Sequence, residues 1–390
     1  MIIKQQFWYK AACVAALSFF TQSALSREVM VKVENPTSWQ RSEVVDIKAS
    51  DLTAQLGLSK GETFVLKNAL GQVIDYQLTH DGRLLFDASV LPKGTALFKA
   101  MPGKPLAPNV FVCGKQYPMR KDDIAWENDR TGYRVYGPKF QSDGDIGYGI
   151  DVWCKNTPDH ILEKFYRDNA NHISFHKNHG YGLDCYNVGA SLGCGAPALL
   201  VGGNLLYPYC YRHYEILDNG PLRFTLRLDF APVTYQGNVK VTEHRLISLD
   251  KNSNFCKMSV WYDGLPNDAS VVAGLVLHSA NPADWEISEH FALYADPTGD
   301  PQKHNFQIYV GMLFPDGIDR LYAQIEKQPR RDVHGHILGQ KNHWDGQQPF
   351  VYYFGSAWSL NDVRSFDEWK LRVRQQLGAI QSPLVVSIGE

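Results

Sequence analysis

Short alternations of apolar and polar residues recur from one end of the chain to the other. Val29 to Val33 alternates, as do 63–66, 73–78 and 83–86, with turns at Asn68 to Gln72 and Thr79 to Gly82. Period-two runs broken by Asp-Gly and similar turns predict antiparallel strands. Ile124 to Tyr136 alternates over a longer span and predicts one strand with a wet face. On it Trp126, Asn128 and Arg130 share one side, and Glu127 and Asp129 the other. Further strands are expected at 212–218 and 222–230 around Asn219-Gly220, then at 238–250, 255–262, 271–278, 307–313 and 350–356. Helical spacing occurs twice. Thr157 to Tyr166 opens with a Thr cap, Pro and an early acid, and Ser365 to Leu377 is amphipathic around Phe366, Trp369 and Val373.

The pattern predicts an all-β-dominated chain with few helices. Residues 27–117 read as a small N-terminal β-sandwich module, and the proline-rich stretch 99–108 carries the chain onward. Residues 118–390 read as one large antiparallel body. Its strands are too many and too long for an immunoglobulin-like sandwich. Two large stacked sheets accommodate them, with one concave face open as a substrate groove.

Charge narrows the function. With 39 basic and 41 acidic residues the net charge is −2, and no basic excess points to nucleic acid. The 9 Trp, 20 Tyr and 19 Phe suit pleated sheets and also sugar stacking. Lys4 and Lys10, the apolar run 11–20 and the small residues before Arg27 have the three parts of a secretory signal peptide, residues 1–26. The run is too short to span a bilayer, so a periplasmic or secreted protein is expected, off the membrane after signal removal. Export permits disulfides among Cys113, Cys154, Cys185, Cys194, Cys210 and Cys256. Sequence does not choose among their pairings, although Cys185 and Cys194 bracket a glycine-rich loop and make a local clamp plausible.

That loop, Asn171 to Ala196, concentrates the chemistry. It carries His172, His176, His179, Asp184, Tyr181 and Tyr186 among five glycines. Titratable groups broken by glycines read as a loop laid into a cleft. The three histidines fall at i, i+4 and i+7, but Asn178 and Gly180 oppose a helix there, and no His-Glu-x-x-His run occurs. His334-Gly335-His336 is also short of a ligand set, so neither metal nor other cofactor is expected.

Four stretches together carry a resemblance: WENDRTGYRVYGP at 126–138, GIDVW at 149–153, HKNHGYGLDCYNVGASLGCGAPAL from His176, and FGSAWS from Phe354. Over the mature chain they resemble an exported bacterial family of formerly unknown function from carbohydrate-utilisation loci. That family looks related to the galactose-mutarotase-like β-supersandwich. The resemblance implies action on acidic, uronate-bearing oligosaccharides, by removal of water from a saturated uronate at the non-reducing end.

Such a dehydration is a β-elimination. It needs a neutraliser for the carboxylate, a base for the proton on C5, and an acid for the departing 4-hydroxyl. Arg130 and Arg134 offer planar forks, with Asn128 and Trp126 beside them on the substrate. His179 is the expected base, His176 its rival and Tyr186 the acid. Asp184 orients a histidine, and His278, at a strand end, is a further binding candidate. The competing readings are a polysaccharide lyase, which applies the same elimination to a glycosidic bond, and a mutarotase-like carbohydrate-binding protein.

Overall fold

The computed structural model describes residues 27–297, 305–330 and 333–389; the expected signal segment 1–26 lies outside them. The N-terminal module is two sheets packed face to face. One contains strands Val29–Glu34, Thr95–Pro102, Phe64–Asn68 and Val73–Ile74, and the other contains Arg41–Lys48, Arg83–Val90 and Tyr76–Leu78. Val31, Val33, Leu66, Phe86 and Phe98 form their shared core. Two details differ from the division at residue 117. The last strand of the chain, Val385–Gly389, returns to pair with Val29–Glu34 and completes the first sheet. Strand Cys113–Tyr117 instead pairs with Asp123–Glu127 in the larger body.

The larger body is a supersandwich. Its outer layer is a nine-stranded sheet running from Tyr211–Asn219 through Val239–Asp250 and Phe350–Trp358 to Trp285–Ile287. Two five-stranded sheets form the inner layer. One is ordered Gly182–Leu183, Asp151–Lys155, Gly132–Val135, Asp123–Glu127, Cys113–Tyr117, and the other Asn204–Leu206, Cys194–Val201, Ser270–Leu277, Val333–Lys341, Arg320–Arg330. Among the described residues a parallel bridge, Ile150 to Gly193, links the two. The residues pointing into the space between layers are the apolar members of each alternation: Trp126, Tyr133, Leu226, Met258, Val272, Val310 and Phe354 all lie in one core. Helix Phe366–Gln381 covers the far face of the nine-stranded sheet with Trp369, Val373 and Leu377. Ser365 caps it by accepting the Glu368 N–H at 3.2 Å.

The run 124–136 is a hairpin rather than one strand. Strands Asp123–Glu127 and Gly132–Val135 pair with each other, and Asn128 to Thr131 make the turn. The Asn128 Oδ1 accepts the backbone N–H groups of Arg130 (2.9 Å) and Thr131 (3.0 Å), the local bond by which asparagine competes with a ladder. Its amide also donates to the carbonyls of Asp250 and Ser253. Asn128 is therefore a brace. Trp126 is fully buried, donating to the Cys256 sulfur at 3.4 Å. Neither residue can meet a substrate, contrary to the expected strand face.

The helix expected from Thr157 begins later than its Pro-Asp signal indicates, spanning Leu162–Ala170. Thr157 caps only a local turn, through the Asp159 N–H. Buried Glu127 does the capping instead, accepting the N–H groups of Ile161 (2.8 Å) and Leu162 (2.9 Å). The same carboxylate pairs with Lys155 at 2.7 Å, and Lys155 spends its other donors on the carbonyls of Asn128 and Asp159. Every polar group of this buried pair that faces its partner is satisfied, the condition under which desolvation is offset. Glu127→Ala strands the ammonium and uncaps the helix. It is expected to cost roughly 3–5 kcal/mol of unfolding free energy, read from urea denaturation midpoints.

Candidate functional site

The histidine-rich loop has a wet tip and a buried return limb. At the tip His176 and His179 are exposed. The His179 ring donates to the Ser174 carbonyl at 3.0 Å, and His176 donates from Nδ1 to the Asp184 carbonyl at 2.9 Å. Phe175 turns inward against Trp153 and fastens the loop to the inner sheet. On the return limb Asp184, Tyr186, Val188 and Leu192 are all buried.

The return limb closes over a buried charge cluster. Arg134, on strand Gly132–Val135, reaches Asp184 at 3.0 Å, contacts Asp151 more closely still, and lies 3.6 Å from Asp123. Tyr136 and Trp153 each lie 4.9 Å from its guanidinium carbon. Three carboxylates thus share one cation away from water. Burial raises all three carboxyl pKa values, against the pull of Arg134: Asp123 is pushed up to about 6, and Asp151 and Asp184 also lie above the ordinary range. The expected role of Arg134 as a fork for a substrate carboxylate is therefore corrected, because aspartates already engage it. Asp184 orients this arginine; its carboxylate stands 3.8 Å from His176.

Two residues past Asp184, Tyr186 enters a second cluster at the end of the sandwich. Its ring meets the His278 ring edge-on, centroids 5.9 Å apart at 84°. Its hydroxyl is buried and has no hydrogen-bond partner among the described residues. Burial, with Cys194 and Asp296 adding, holds the phenol well above its usual pKa, so it carries its proton at neutral pH. His278, at the end of strand Ser270–Leu277, points Nδ1 at the Asp296 carboxylate, 2.8 Å away, and its backbone N–H donates to the Tyr294 hydroxyl at 3.0 Å. Asp296 is fully buried. A carboxylate behind an imidazole fixes its tautomer and orients the ring, the arrangement found behind catalytic histidines. His336, from the neighbouring strand Val333–Lys341, accepts the Leu192 N–H at Nε2, 3.3 Å away. Burial and the nearby His278 push its pKa down to about 4, so it stays neutral.

Of the expected site residues, the structure gathers Tyr186 with His278, and Arg134 with Asp184 and His176. Arg130 belongs to neither group. It pairs with Asp362, which also binds Arg372 at 3.0 Å near helix Phe366–Gln381. His179 stands at the loop tip, and neither Arg130 nor His179 lines the cavity between the modules. That cavity, about 470 Å³, lies among Arg223, Asp250, Lys257, His80 and Asp218. The Cys185–Cys194 clamp is corrected too: Cys194 is buried with its sulfur toward the Gly355 carbonyl, while Cys185 faces Cys154. Sequence reasoning missed Asp151, Asp123 and Asp296, and weighed His336 only as a metal ligand. Asp151 sits in the GIDVW motif, and Asp296 is an acid closing the apolar strand Phe291–Asp296, which were the available signals. Among the described residues no three His, Cys, Asp or Glu side chains are grouped to hold a metal ion.

Residues 33–386 match the family model described as a domain of unknown function, DUF4861. The chain belongs to the DUF4861 family. A relative, "Uncharacterized protein P7" of Formosa agariphila, is 26% identical over 400 residues, covering 96% of this chain and 98% of that one. Among solved structures the chain is similar to an alpha-mannosidase from Enterococcus faecalis V583 (TM-score 0.50, 10% identity, 93% of this chain and 46% of that one). It is likewise similar to a glycosyl hydrolase family 38 protein from Enterococcus faecalis (TM-score 0.50, 9% identity, 93% and 48%). The DUF4861 chain spans about half the length of those two proteins, and at such identity the likeness is one of fold.

The carboxylate cluster of this DUF4861 protein has a pH signature. A carboxyl with a folded pKa above its unfolded value, about 3.9, holds its proton more tightly in the native state. Asp123, at about 6, therefore favours the folded protein at low pH, and that contribution is lost as pH rises from about 4 to 6. Asp123→Asn mimics the protonated form. Its unfolding free energy is expected to vary less than wild type across this window, by roughly 1–3 kcal/mol, in denaturation curves taken at several pH values.

Proposed function

We propose that this protein is an exported carbohydrate-active enzyme that removes water from a saturated uronate at the non-reducing end of an acidic oligosaccharide. The observation that carries the reading is the buried, unpartnered Tyr186 hydroxyl beside a histidine held by a buried aspartate. A buried hydroxyl without a partner costs free energy that a ligand oxygen would recover. An acid and a base side by side are what an elimination requires. In this reading His278 takes the proton on C5, the C4–O bond breaks, and Tyr186 gives its proton to the departing hydroxyl. The products are the 4,5-unsaturated uronate and water. Asp296 is a positioning residue that stabilises the imidazolium as it forms.

The substrate carboxylate also has to lose its charge. Arg130 and Arg134 are engaged by aspartates, so the expected arginine fork is given up. The site offers low polarity instead. Burial that holds the Tyr186 phenol well above its usual pKa also favours the protonated form of a uronic acid bound beside it. A neutral carboxyl releases the neighbouring C5 proton far more readily than a carboxylate does.

Mass spectrometry on a panel of uronate oligosaccharides tests the proposal. Loss of one water with chain length intact supports it; shortened chains make the protein a lyase; unchanged sugars leave a binding protein. Tyr186→Phe and His278→Ala are each expected to lower kcat by roughly 10²–10⁴-fold with the circular dichroism spectrum unchanged. His179→Ala is expected to keep activity within a few-fold of wild type, and its abolition would return the base to the loop tip.

A further inference from the structure

Six cysteines lie in the described residues. Cys194 and Cys256 are fully buried and already engaged, by the Gly355 carbonyl and the Trp126 indole. Cys154 and Cys185 are different, because their sulfurs face each other 3.9 Å apart. Cys154 sits on strand Asp151–Lys155, directly across from Leu183, and Cys185 follows two residues later. Only two residue pairs, Cys154–Leu183 and Lys155–Gly182, form the ladder that ties this limb of the loop to the sheet. The limb then carries Asp184 to Arg134 and Tyr186 to His278, one on either side of Cys185. A disulfide sulfur separation is about 2.0 Å, within reach of small side-chain rotations from the observed contact.

We propose that Cys154 and Cys185 form a disulfide in the mature protein, and that it pins Asp184 and Tyr186 in place. The oxidant is a disulfide of the thiol-exchange class, for which glutathione disulfide serves in vitro. Cys185, the more exposed of the two, attacks as thiolate and releases one glutathione thiol. Buried Cys154 then gives up its proton and displaces the second. One protein S–S bond forms, one glutathione S–S bond breaks, and the two electrons and two protons leave in two glutathione thiols. The disulfide does not depend on which reaction the site performs.

The test is peptide mapping of the full chain recovered from an oxidising compartment, or incubated natively with glutathione disulfide, then unfolded and alkylated without reductant. Fragment ions should show Cys154 joined to Cys185, lighter by two hydrogen atoms, with Cys113, Cys194, Cys210 and Cys256 alkylated. Alkylation of both Cys154 and Cys185, or linkage of either to another cysteine, overturns the proposal. Hydrogen exchange tests the pinning. Reduction of the wild type should speed amide exchange over residues 182–188, whereas Cys185→Ser and Cys154→Ser should already exchange fast and ignore reductant. Equal exchange in oxidised and reduced wild type overturns the pinning.

Discussion

The arrangement of the site depends on one backbone contact, the bridge between Ile150 and Gly193. The Cys194 N–H donates to the Ile150 carbonyl at 2.8 Å, and the Val276 N–H donates to the Gly193 carbonyl at 2.9 Å. Through it the sheet bearing Arg134 and Asp151 is held against the sheet that ends in His278. Gly193 has φ +58°, and a β-carbon there would collide with the Ile150 carbonyl, so the approach requires glycine. The return limb of the histidine-rich loop ends at this bridge, which fixes where Asp184 and Tyr186 stand.

Two buried ionic groups of the inner sheet illustrate opposite uses of burial. Glu127 and Lys155 are matched one to one, with backbone groups taking up the remaining bonds, and their product is structure: a capped helix and a closed hairpin. Arg134 is shared among Asp123, Asp151 and Asp184, with Asp123 the most distant of the three at 3.6 Å. Excess negative charge in a dry place is held only by keeping a proton. Perturbed carboxyls of this kind concentrate at functional sites, although structural networks also contain them. The neighbouring cluster of Tyr186, His278, Asp296 and His336 has the same character, with a phenol kept protonated and an imidazole kept neutral by burial. Together they concentrate proton donors and acceptors in a buried, low-dielectric end of the sandwich.

Alternation alone determined the all-β architecture, because a side chain on a sheet reports which face it occupies and little else is needed to place it in a core. The strand Val239–Asp250 and the helix Phe366–Gln381 were readable for that reason, each having a strong single period. The loop at 171–196 was also recognisable as chemical, since its composition fits no core strand. Partners were not readable. Period two says nothing about which strand lies alongside, so His278, Asp296 and His336 are joined only by the order of strands in two sheets. Asn128 turned a supposed strand into a hairpin, and Glu127, over thirty residues away in sequence, decided where helix Leu162–Ala170 starts. Local signals lose to tertiary hydrogen bonds in both cases, because a buried backbone group must be paired wherever the fold puts it. The residue types needed for chemistry were thus present in the sequence, while the packing decided which of them meet and which arginines were already taken.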